Sequence, residues 1–150
     1  MKNIYSILLL TFWTCFAFAQ NFTDSGTFLI HKFEQNIGKE KYIVTKNNNT
    51  INYAVDFKYV DRGSPVVLTA KLQLTSLLQP LSFRIKGGTS RFSTVNDSVL
   101  INKKTAFIKI DDSSFTKKLS GINFTIAGYS PATVQMLLIQ YWKKTTSLQP

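Results

Sequence analysis

The residue types that carry most protein chemistry are scarce in this chain. It has one cysteine, Cys15, and one histidine, His31. Zinc and thiolate sites need several convergent Cys or His ligands, so neither is expected. Asp and Glu number 8 against 18 Lys and Arg, and the carboxylates form no H-x-H or H-E-x-x-H pattern. A Ser-His-Asp triad would have to use His31, which no G-x-S-x-G elbow accompanies. His31 reads instead as a partly buried strand residue beside Leu29 and Phe33. Glu34 and Glu40 flank a turn and read as solvated charge. Asp111-Asp112-Ser113-Ser114 resembles a turn more than a calcium loop, which spaces its oxygens more widely. Gly87-Gly88-Thr89-Ser90-Arg91 lacks the strand-loop-helix setting of a phosphate loop. No catalytic residue, cofactor or metal is expected, and the chain does not read as an enzyme.

Long runs of one charge are missing too. The formal charge is +10, yet the lysines are scattered in pairs such as Lys103-Lys104 and Lys143-Lys144, with no run of five. Solvated faces and loops account for most of them. One basic cluster, Arg84, Lys86 and Arg91, is a candidate anion site around the glycine-rich stretch, because Arg forks suit carboxylate and phosphate. Aromatics are plentiful, 12 Phe and 6 Tyr, but in the cleanest segments they share the apolar face. They read as core rather than as a platform for nucleic acid, and no nucleic-acid partner is expected.

The one long apolar stretch is at the N-terminus. Lys2 precedes a run from Ile4 to Phe18, and Ala17-Phe18-Ala19 places small residues at the −3 and −1 positions. This pattern predicts a signal peptide over 1–19, cleaved before Gln20, and a periplasmic or secreted product. The run is short for a bilayer span of about 20 residues, so no transmembrane segment is expected after cleavage. Cys15 leaves with the leader, and the mature chain would contain no disulfide.

Residues 20–150 read as one β-rich domain. Ile51, Tyr53, Val55, Phe57 and Tyr59 alternate with mostly polar neighbours, and Val66, Leu68, Ala70, Leu72 and Leu74 do the same. Leu81, Phe83 and Ile85 repeat the pattern, as do Ala106, Ile108 and Ile110, and then Ile122, Phe124 and Ile126. Period-two alternation marks strands with one buried face. Thr27–Phe33, Lys41–Lys46 and Ser98–Ile101 are less regular strand candidates. Turn signals sit at Asn36-Ile37-Gly38, Asn47-Asn48-Asn49, Asp61 to Pro65, Gly87-Gly88 and Asn102-Lys103-Lys104. Such short connections predict an antiparallel meander of about eight strands. The expected fold is mainly β (α+β): a strongly curved sheet or incomplete barrel with one C-terminal helix. That helix starts at Ser130 as cap and Pro131 as first residue, and runs to about Trp142. Val134, Leu137, Leu138 and Tyr141 form one apolar face, and Met136, Ile139 and Trp142 a second. A helix apolar on two faces calls for two partners, so Met136, Ile139 and Trp142 are the candidate partner-facing side.

The string of segments also resembles a known family. Gly26-Thr27-Phe28, Lys32 through Tyr42, Asp56 through Val66, Gly87 to Ser98, and Tyr129-Ser130-Pro131-Ala132 on to Tyr141-Trp142 are similar to the non-catalytic N-terminal domain of secreted bacterial amidohydrolase-family proteins. The resemblance covers nearly all of the mature chain and rests on structural, turn-forming motifs. In that family a metal-dependent hydrolase barrel follows the domain, and its His-x-His ligands have no counterpart here. The resemblance therefore implies an accessory role beside a protein partner or a missing C-terminal domain. The alternative is a periplasmic binder of an apolar or amphipathic ligand held inside the curved sheet. Cleavage before Gln20 is checked by N-terminal sequencing and a thiol titration of the exported protein. The expected product begins at Gln20 and carries no thiol, whereas a retained leader would show one.

Overall fold

The computed structural model describes residues 22–146; the expected signal peptide over 1–19, with Cys15, lies outside them. Eight strands follow one another in one antiparallel sheet: β1 (Phe22–Lys32), β2 (Gln35–Asn47), β3 (Thr50–Asp61), β4 (Ser64–Thr75), β5 (Pro80–Gly88), β6 (Thr94–Asn102), β7 (Thr105–Ile110) and β8 (Ser113–Lys118). Spatial order equals chain order, and β1 does not pair with β8, so the sheet is not closed into a barrel. One helix, α1 (Ala132–Thr146), follows.

Alternation decides which face is buried. On β4 every second residue from Val66 to Leu74 is buried, and Val55, Phe83 and Ile85 join them across the ladder. This inner face receives Val134 and Leu137 of α1; Tyr141, on the same side of the helix, is buried beside Phe124. The opposite, outer face is wet.

Turn chemistry departs from expectation at the first hairpin. The β1–β2 hairpin turns at Phe33 and Glu34, with φ of 50° and 66°, and not at Asn36-Ile37-Gly38, which lies in β2. Gly38 serves a different need there. A Cβ on it would stand 2.2 Å from the Lys58 carbonyl oxygen of β3, so only glycine admits that approach. Gly87 meets β4 in the same way, 2.2 Å from the Val67 carbonyl oxygen and at φ 138°. His31 follows a bulge in β1 and is exposed rather than partly buried.

The expected strand through Ile122, Phe124 and Ile126 is not one. Phe124 packs on Tyr141 with ring centroids 5.5 Å apart, while Ile122 and Ile126 are exposed in an irregular crossing to α1. The eighth strand is instead Ser113–Lys118, whose six residues are all exposed. An edge strand is held by main-chain bonds to one neighbour, so it needs little apolar signal. Asp111-Asp112 makes the turn before it, and Ser113-Ser114 belongs to the strand.

The helix start also differs. Ser130 does not cap α1: its hydroxyl accepts the Ala127 N–H at 2.8 Å, within the preceding turn. The first backbone donors of the helix go to Glu40 of β2. Ala132 N–H donates to Oε2 at 2.7 Å, Thr133 N–H donates to Oε1 at 2.9 Å, and the Thr133 hydroxyl also donates to Oε1. Glu40 is 0% exposed, against its reading as solvated charge. The carboxylate takes the place of an N-cap side chain from 92 residues away, where the helix dipole favours negative charge. Glu40→Ala should cost about 3 kcal/mol, because it removes a helix cap and charge-assisted hydrogen bonds. Urea unfolding of this variant checks it, with Lys41→Ala on the outer face expected to stay within about 0.5 kcal/mol of the parent.

Candidate functional site

Packing α1 by one face leaves its other face outward. Met136, Ile139 and Trp142 are 45%, 51% and 59% exposed, and their i, i+3, i+6 spacing makes one stripe. Exposed Ile122, Ile126 and Tyr129 come from the segment leading into the helix. Lys143 and Lys144 follow the stripe in the last turn, where cations complement the helix dipole. The helix has no acidic residue. Thus the second apolar face anticipated from spacing is solvent-exposed, and nothing among the described residues covers it.

The three cations of the expected anion cluster divide between a strand and a loop. Arg84 and Lys86 both point outward from β5, two residues apart. Arg84 Nη2 donates to Asn96 Oδ1 of β6 at 3.3 Å. Arg91 lies in the loop after β5 and lines a separate groove with Arg62, Ser64 and Pro65 of the β3–β4 hairpin. Register explains the split: Gly88 pairs with Thr94, so the chain from Thr89 to Ser93 leaves the ladder and carries Arg91 with it.

At the β1 end, Lys32 and Asp61 form a salt bridge that ties the end of β1 to the end of β3. The Lys32 hydrogen bond outweighs the opposing desolvation and, with the charges of Lys32 and then Arg62, holds the Asp61 carboxyl below the usual carboxylate range. Burial pushes the Tyr59 phenol up, helped by Asp61 and Tyr129 and opposed by Lys32. Burial likewise raises Tyr53, with Tyr42 and Asp24 contributing. These are ordinary consequences of a half-buried aromatic sheet face and assemble no nucleophile with a base. Among the described residues no three His, Asp or Glu side chains converge as metal ligands, and no helix is long and apolar enough to cross a membrane.

Comparison with protein-family models, curated proteins and solved structures finds no match to this chain.

Trp142 is the one tryptophan in 20–150, so it reports directly on the stripe. The isolated protein should show water-like Trp emission and free quenching by acrylamide. A blue-shifted, protected emission would mean that something covers the stripe.

Proposed function

We propose that this chain is an exported, non-catalytic accessory domain whose α1 stripe docks on a protein partner. The carrying observation is the exposure of Met136, Ile139 and Trp142 on a helix whose other face is fully engaged. A tryptophan flanked by two aliphatic side chains suits the centre of a protein interface, where aromatic anchors dominate binding energy. Single exposed apolar residues are common on any surface, but Met136, Ile139 and Trp142 share one helical row. The resemblance to the N-terminal domain of amidohydrolase-family proteins supplies the partner class, a hydrolase barrel on the same or a separate chain.

The alternative, a carrier of an apolar ligand between helix and sheet, has less support. Val134 and Leu137 pack into the core on the inner face of the sheet, where such a ligand would lie.

Native mass spectrometry of the protein from its own host's envelope tests the proposal. The expected species is a complex with an amidohydrolase-family protein, lost in Ile139→Glu and Trp142→Glu variants that still fold. A chain that carries a small apolar molecule and no protein would overturn docking in favour of the carrier.

A further inference from the structure

The outer face of β5–β8 carries a trough whose two walls differ in chemistry. The ladder places side chains two residues apart along each strand on the same side. One wall is Ser82, Leu100, Phe107 and Thr116; the other is Arg84, Ser98, Lys109 and Ser114. The floor between them is the backbone of Phe83, Val99, Ile108 and Phe115, residues of the inner-facing parity. The space is about 530 Å³. Its walls are about 7 Å apart and it crosses four strands, about 14 Å, by standard strand dimensions.

The cationic wall is unbalanced within the fold. Arg84 pairs with Ser98, and Ser98 with Lys109, which puts the two cations about 10 Å apart across β6. Lys71 of β4, directly opposite Arg84, extends the row beyond the trough. Like charges in facing positions destabilise a sheet. Yet no Asp or Glu occupies an outward position of β4–β8, and none of these three cations is in an ion pair. Arg84 spends one of its donors on Asn96 and has others to give. Across from the cations, Leu100 and Phe107 face each other in register and are 56% and 46% exposed.

We infer that this trough binds an anionic glycan, a chain of sugar rings bearing carboxylate or sulfate groups. A pyranose presents C–H groups on its ring face, hydroxyls around its edge, and here a charged substituent. Phe107 and Leu100 meet the ring face, the four Ser and Thr hydroxyls meet the edge, and Arg84 and Lys109 take the anions. The Arg fork matches a carboxylate or sulfate in two hydrogen bonds. The trough is open along its length, which suits a linear polymer lying across the strands better than a small molecule needing enclosure. It lies on the face of the sheet away from α1, so it is independent of the docking proposed for the helix.

Titration calorimetry of the purified protein with oligogalacturonate and with dextran sulfate, each beside neutral dextran, tests the inference. Binding is expected for at least one anionic glycan, weaker at high salt, and absent for neutral dextran. Arg84→Ser with Lys109→Ser should weaken it about tenfold or more, the loss expected for a charge-assisted hydrogen bond. Phe107→Ser, which leaves the net charge unchanged, should weaken it measurably as well. Lys39→Ser with Lys41→Ser on β2 removes the same charge away from the trough and should leave most of the affinity. All these side chains are exposed, and unaltered thermal melting of each variant confirms the fold. Equal losses from the β2 and trough pairs with no effect of Phe107→Ser would overturn the site in favour of diffuse charge. Binding only to anionic vesicles or to single-stranded oligonucleotide, or to no polyanion, would overturn the glycan assignment.

Discussion

The arrangement depends on one buried carboxylate. Glu40, in the second strand, accepts the first two free N–H groups of a helix that begins 92 residues later. A helix end buried without acceptors is costly, and so is a carboxylate buried without donors. Each cost is removed only when the two meet, and the short reach of a glutamate leaves little freedom in how they do. The contact therefore sets both where α1 enters and how it is rotated. Val134 and Leu137 then fall on the sheet, and Met136, Ile139 and Trp142 cannot.

That rotation creates a molecule with two unlike surfaces. The inner face of the sheet is occupied at its centre by α1, whose back presents an apolar stripe. The outer face carries cations and hydroxyls in rows dictated by antiparallel register, with Phe107 and Leu100 set among them. A sheet's two faces are chemically separate because successive side chains point to opposite sides. A partner on the helix and a polyanion on the outer face can therefore be held at once, without competition for the same residues. Such a division suits the accessory role proposed above.

Antiparallel β meander, open edge and single terminal helix were all legible in the sequence, because each rests on a local pattern. Strict alternation from Ile51 to Tyr59 and from Val66 to Leu74 marks central strands, and i, i+3, i+4 spacing after Ser130-Pro131 marks the helix. The exposed stripe was legible for the same reason. The reading erred where local pattern and tertiary context disagree. Ser113–Lys118 is polar throughout yet forms a strand, since an edge needs only backbone pairing to β7. Ile122, Phe124 and Ile126 alternate well yet form none, since that segment crosses to the helix and uses Phe124 alone to pack on Tyr141.

The sequence by itself thus determined the class of fold, the burying face of each central strand and the two-faced character of the helix. These follow from periodicity within a few residues. Tertiary structure alone decided that Glu40 is a buried helix cap and not a solvated charge, since its donors lie far along the chain. It also decided that Arg84 lines one trough with Lys109. Two hairpins set that pairing, and register across a sheet depends on turn geometry summed over every strand between, which no local pattern encodes.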